Sequence, residues 1–158
     1  MASRLLTDCV IGLQQKVPLI ILDYETQNSG TDLNIICSLR STAEQQLLYA
    51  RGRTVAPYGF KYEVTQVDGV HKFSKHNPNP LSLLSQAVDF GVFIGGKYMT
   101  QSYYYYPLLD LARKYKLISG LDFFNTWQPL QACLDRPVFK DLPHVEIPGP
   151  LYVPPKVG

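Results

Sequence analysis

A chain of 158 residues, 46% hydrophobic and 18% charged, has the length and balance of one soluble globular domain with a real core. Its net charge of +2 supplies no concentrated basic face for nucleic acid, and no segment approaches the roughly 18 consecutive apolar residues of a membrane span. The three cysteines, Cys9, Cys37 and Cys133, are odd in number, widely spaced and without a C-x-x-C pair. They argue against a disulfide framework or a thiolate zinc site and fit a reducing cytoplasm.

Leu6, Val10, Leu13 and Val17 recur at helical spacing and predict a helix over 3–16, which Pro18 should end or kink. This N-terminal stretch carries an acid and glutamines where a signal peptide needs a continuous apolar run. LNIICSL (33–39) reads as a buried strand, with Cys37 as a small core residue. Ser41-Thr42-Ala43-Glu44 resembles a capping box opening a helix of about 42–51, stopped by Gly52. Residues 53–75 read as loop with short extended pieces. AVDFGVFIGG (87–96) reads as a strand closed by a Gly-Gly turn, with KYM beginning another extended piece. Residues 101–115 predict a helix striped by Leu108, Leu111, Ala112 and Tyr115. The four tyrosines at its start are read as packing residues. HVEI is the last strand. The proline-rich tail, 148–158, should lie extended. This order predicts one α+β domain over 1–158, a small antiparallel sheet with packed helices.

Three side chains carry the chemistry. His76, Asp89 and His144 offer two imidazoles and a carboxylate, a ligand set that suits zinc and leaves a fourth position open, as in catalytic sites. Asp89 lies within AVDFGVF, where a carboxylate is costly to bury unless it is paired or bound to a cation. A second carboxylate must then move a proton. Asp141 and Glu146 both qualify, since alternate residues of a strand share a face. His71, close before His76, reads as a loop histidine.

Three short motifs fall in order: Ser74-Lys75-His76, Ala87-Val88-Asp89 and Asp141-Leu142-Pro143-His144. Upstream, LRSTAEQQLLYARGRT (39–54) adds Arg40, Gln45, Leu48, Tyr49, Ala50, Gly52, Arg53 and Thr54 in register. The series resembles the zinc-dependent peptidoglycan peptidases, which include phage L-alanyl–D-glutamate endolysins and bacterial D-Ala-D-Ala carboxypeptidases. The likeness spans roughly residues 33–147. It departs from the family between His76 and Asp89, which stand 13 positions apart where the family spacing is shorter. NPNPLSLLSQ (77–86) reads there as an inserted, mobile surface loop at the cleft rim.

The resemblance implies a fold of the hedgehog/D,D-peptidase type and Zn²⁺ held by His76, Asp89 and His144. It favours Asp141 as the catalytic acid/base and implies that Arg40 stabilises an oxyanion or holds a substrate carboxylate. Ser74 and Gln45 are implied as substrate-binding residues. The expected activity is hydrolysis of the L-Ala–D-Glu bond of the peptidoglycan stem peptide, by a monomer that inserts in no membrane. Made in the host cytoplasm, it would reach the wall after release by a separate factor, without its own wall-binding domain. A D-Ala-D-Ala carboxypeptidase of the same chemistry, or a non-catalytic wall-binding or virion domain, are the alternatives.

Overall fold

The computed structural model describes residues 1–149, so nearly all of the proline-rich tail lies outside the described residues. Among the described residues, four helices and five strands follow in the order α1 (Ile11–Gln27), β1 (Asp32–Cys37), α2 (Thr42–Ala50), β2 (Ala87–Ile94), β3 (Lys97–Met99), α3 (Pro107–Lys114), β4 (Ile118–Ser119), α4 (Leu130–Asp135) and β5 (His144–Glu146). The strands form one antiparallel sheet in the order β1-β2-β5-β4, with β3 also paired to β2. The expected α+β class with a small antiparallel sheet is what the chain adopts. Among the described residues no helix is long and apolar enough to cross a membrane.

Strand β2 organises the sheet. One edge pairs with β1 along most of its length, while the other pairs with β5 at Ala87–Asp89 and with β3 at Val92–Ile94. Its alternation divides the molecule. Val88, Phe90 and Val92 are fully buried, as is Val145 on β5, and all belong to a core with Leu13, Val17, Ile20 and Tyr24 of α1 and Leu108, Leu111 and Ala112 of α3. Asp89 and His144 are cross-strand partners and share the opposite face.

The N-terminal helix is displaced from its expected place. Residues 6–8 form only a 3-10 turn, and α1 begins at Ile11 and runs through Pro18. The edge before it is held by Ser85, which accepts from the Val10 N–H and bridges Cys9. Proline leaves the Gln14 carbonyl without its helical donor, a defect of about 3 kcal/mol. The stripe Leu13–Val17–Ile20–Tyr24, all buried, continues across it and outweighs that defect. The helix expected over 101–115 is likewise split. Ser102–Tyr105 is a 3-10 turn, and Pro107 takes the first helical position of α3, where its missing N–H costs nothing. The tyrosines there are structural. Tyr105 donates to the Met99 carbonyl, and the Tyr104 carbonyl accepts from the Tyr24 hydroxyl. The capping box of Ser41 and Glu44 is present, and Gly52 follows α2 at φ +81. Strand β4 and helix α4, both short, had no periodic signal and depend on β5 and on the Leu109, Leu121 and Cys133 cluster.

The segment 77–86 is a rim loop only at its tip. Leu81 and Leu83 are 76% and 69% exposed, and the tip closes on itself through Asn79 and Leu84. Its two ends are fixed. Asn77 and Ser85 are buried, and the Ser85 hydroxyl lies within hydrogen-bond distance of the Ser38, Lys75 and Ala87 carbonyls.

Pro18→Ala should stabilise the protein by about 1–3 kcal/mol, because the Gln14 carbonyl regains a donor on an exposed helix face. Urea unfolding with an unchanged m-value checks this; a destabilised variant would contradict it. Replacing Pro80–Leu83 with Asn-Gly should leave the unfolding midpoint and metal uptake essentially unchanged, since shortening a loop alters closure entropy by only about 0.6 kcal/mol per halving. Asn77→Ala, at the fixed end, should cost about 1–3 kcal/mol in the same measurement.

Candidate metal centre

Three local structures bring the expected ligands together. The first is a β-bulge. Ile35 faces Phe90, but Cys37, not Ile36, faces Asp89. The extra residue turns Cys37 from the core face to the face of Asp89. Gly91 accommodates it, since a Cβ there would lie 2.6 Å from Ile36 Cγ2.

The second is the turn Ser74–Asn77. The Asn77 N–H donates to the Ser74 carbonyl, the Ser74 N–H to Asn77 Oδ1, and the His76 N–H to Ser74 Oγ. Asn77 Nδ2 then donates to the Arg40 carbonyl, and the Arg40 N–H to the His76 carbonyl. His76 is thereby clamped against the segment after β1.

The third is the turn Asp141–His144, closed by the His144 N–H on the Asp141 carbonyl at 3.0 Å. It nests against Gly120, where a Cβ would stand 2.0 Å from the Asp141 carbonyl oxygen. Only glycine permits that approach.

The donor atoms converge closely. Asp89 Oδ1 lies 3.0 Å from His76 Nε2 and 3.0 Å from His144 Nδ1, and the two nitrogens are 3.2 Å apart. A tetrahedral ion with ligand bonds of about 2.0–2.1 Å sets its ligand atoms about 3.3–3.4 Å apart, so the triangle nearly fits one. The outer nitrogens are committed. His76 Nδ1 lies 2.7 Å from the Ser38 carbonyl, which can only accept, so Nδ1 carries hydrogen. His144 Nε2 donates to Glu146 Oε2 at 2.9 Å. Both rings therefore turn their other nitrogen towards Asp89, the orientation that metal-binding histidines take from such partners. Two overlapping groups, Cys37–His76–Asp89 and Asp89–Asp141–His144, each gather donor atoms within 4.8 Å. The residues can hold a metal ion.

The charges reinforce one another. Burial opposes protonation of His76, but the Asp89 carboxylate overcomes it and lifts the ring to about 10. Burial also opposes it at His144, where hydrogen bonds to Asp89 and Glu146 carry the ring up to about 9. Asp89 stays ionised: burial disfavours its charge, yet the two imidazoles hold it well below the ordinary carboxylate range. Asp141 goes the other way. Burial, then the neighbouring Asp89 charge, pushes its carboxyl up. Burial also acts on Glu146, but His144 and Lys75 hold it below its ordinary value.

A cleft of about 580 Å³ opens over the cluster, with Leu48, Val64, Phe73, Phe123 and Phe139 among its apolar lining. Arg40, Ser74, His76, Asp89, Asp141 and His144 all line it. Arg40 lies 3.6 Å from Asp89 Oδ2 and donates to Cys37 Sγ at 3.2 Å. Gln45 requires a correction. It is fully buried, with its oxygen accepting from Arg40 at 2.9 Å and its amide donating to the Val67 carbonyl. No part of it is left for a substrate, so it positions Arg40. Ser74 is on the cleft wall, with its hydroxyl supporting His76. His71 stands apart, exposed and paired to Asp68.

Several participants were not foreseen. Cys37 lies 3.7 Å from His76 Nδ1, and only the bulge brings it there. Asn77 was read as loop. Lys75 binds Glu146 at 3.0 Å and carbonyls of the segment after β5. Phe123 sits 5.3 Å from the His144 ring and stacks on Phe139. Glu146, by contrast, had a signal in the sequence, its two-residue offset from His144.

No family model and no curated protein matches this chain.

Metal and protons compete for the inner nitrogens, and the raised imidazole values set the sign. At pH 7 both rings hold an extra proton that a metal must displace, so uptake should release up to two protons per site. Affinity should therefore fall as pH drops, by as much as about 100-fold per unit below pH 9. Calorimetric zinc titrations in buffers of different ionisation enthalpy read the released protons; buffer-independent heats at pH 7 would contradict the arrangement.

Proposed function

We propose that this chain is a zinc peptidase that cuts the peptide stem of peptidoglycan, at the L-Ala–D-Glu bond. The observation that carries the reading is the converging triangle of His76, Asp89 and His144 with an untied carboxylate, Asp141, beside it. The ordered motifs of the sequence supply the substrate class. A binding module needs neither a cation cradle nor a spare acid, which counts against the non-catalytic alternative.

Zn²⁺ held by His76, Asp89 and His144 would supply Lewis acidity, making water a nucleophile near neutral pH and polarising the scissile carbonyl. Asp141 accepts the proton of the attacking water and returns it to the departing amine. Its raised carboxyl value brings it closer to the working pH than an ordinary aspartate. Arg40, held in place by Gln45, offers positive charge at the cleft wall to the developing oxyanion or a substrate carboxylate. Ser38 and Glu146 fix the two imidazoles, and Lys75 keeps Glu146 anionic. Phe123, stacked on Phe139, packs beside the His144 ring.

Purified protein should carry about one zinc per chain, as three protein ligands require. Elemental analysis should find it lost in the His76→Ala, His144→Ala double variant. Asp141→Asn should keep zinc and lose about 100-fold or more in lytic rate. Glu146→Gln should weaken zinc binding about 10- to 100-fold yet recover activity in excess zinc. Mass spectrometry of digested muropeptides identifies the bond: release of free D-Ala would assign a carboxypeptidase instead. A dead Glu146→Gln beside a near-normal Asp141→Asn would overturn the assignment of the base.

A further inference from the structure

Beside the cleft, the segment 122–127 spends conformational energy to hold two aromatic rings in water. Asn125 and Trp127 both adopt left-handed backbone, at φ 50 and φ 57; asparagine tolerates it, but it is rare for a side chain as bulky as Trp127. Trp127 is the chain's single tryptophan and is 61% exposed; Phe124 is 66% exposed.

One buried carboxylate holds this arrangement. Asp122 Oδ2 accepts from Arg113 at 2.8 Å and from the Trp127 N–H at 3.2 Å, while Oδ1 accepts from the Thr126 hydroxyl at 2.9 Å and faces Arg136 at 3.8 Å. Each guanidinium lies against one of the exposed rings, Arg113 at 5.6 Å from Trp127 and Arg136 at 5.1 Å from Phe124. A merely solvent-exposed turn needs no such scaffold.

The segment adjoins the cleft through Phe123, which lines it together with Phe139. Phe123, next to Phe124, turns inward to His144 and stacks on Phe139, which is 58% exposed. Arg136 begins the short segment that leads through Phe139 to Asp141.

We propose that Phe124 and Trp127 form a sugar platform for the N-acetylated hexosamine strand to which the stem peptide is attached. This rests on the peptidoglycan reading and extends it from the peptide to the glycan. A pyranose ring has a C–H face that suits the negative face of an aromatic ring, and polar edges that suit adjoining guanidinium groups. Two separate rings, each backed by a cation, match a ligand of alternating apolar faces and polar edges better than the continuous apolar surface of a protein partner. The platform would hold the strand while the peptide enters the cleft.

Trp127 makes the test direct. Zinc-stripped Asp141→Asn protein is titrated with N-acetylglucosamine tetramer while Trp127 emission is followed. A saturable shift is expected, weakened about 5- to 10-fold in Phe124→Ala. Co-sedimentation with peptide-free glycan strands should fail for Trp127→Ala and persist for Trp127→Phe. Both Ala variants, in an otherwise native protein, should cut a glycan-free stem peptide at the normal rate. No saturable emission change up to about 10 mM tetramer, well above a weak Kd of about 1 mM, would overturn the platform. So would wild-type co-sedimentation by Trp127→Ala. Because binding is read without cleavage, loss of the platform leaves the peptidase reading intact, and absence of peptidase activity leaves the binding result readable.

Discussion

The whole arrangement depends on a carboxylate placed in the middle of an apolar strand. Asp89 is flanked by Val88 and Phe90, both fully buried, and sits at the centre of the sheet between β1 and β5. A charge there is costly unless it is matched. The chain matches it from three directions: His76 from a loop, His144 from the neighbouring strand and Arg40 from the segment after β1. Each partner is itself held by a second contact. Breaking one outer contact, such as Ser38 with His76, would free a ring that Asp89 needs in place. The cluster is therefore cooperative.

The same strand serves two faces that obey opposite rules. Its core face is filled by side chains from α1 and α3 and tolerates no polar group without a partner. Its other face, Ala87, Asp89, Gly91 and Phe93, carries a single charge, Asp89, which opens into the cleft. The bulge at Ile36 is what lets β1 take part in both. Leu33 and Ile35 lie opposite Val92 and Phe90 on the core side, and Cys37 crosses over to Asp89. One extra residue thus supplies a soft sulfur to a site otherwise made of nitrogen and oxygen.

Much of this was legible in the chain, for definite reasons. Periodicity and glycine placement identify β2, its Gly-Gly hairpin and β5, because these elements satisfy local rules and tertiary rules together. The capping box of α2 is written in four adjacent residues. His76, Asp89, Asp141 and His144 lie close together, and the long His76–Asp89 connection does not separate them. What could not be read is whatever tertiary contact decides. Pro18 is a helix breaker by local rules, but a buried stripe on α1 overrides it. Cys37 reads as core because a bulge leaves no trace in residue alternation. Asn77 looks like the first residue of a loose loop, yet its side-chain amide ties the Ser74 N–H to the Arg40 carbonyl. Gln45 seems a polar helix residue available to a ligand until its burial is known.

The two acids near His144 divide their roles by what else they touch. Glu146 uses one oxygen on His144 and the other on Lys75, and these contacts hold it anionic. An acid so occupied makes a good support and a poor proton shuttle, since taking a proton would break both contacts. Asp141 is fixed through its backbone instead, by the turn to His144 and by the close seat on Gly120. Its side chain is shaped by burial and by the Asp89 charge rather than by hydrogen bonds. That combination, a rigid main chain with an uncommitted carboxylate beside a cation cradle, is what proton transfer in the proposed reaction requires. Gly120 is then as important to the chemistry as either acid: any side chain there would push the Asp141 carbonyl away and open the turn that sets Asp141 against His144.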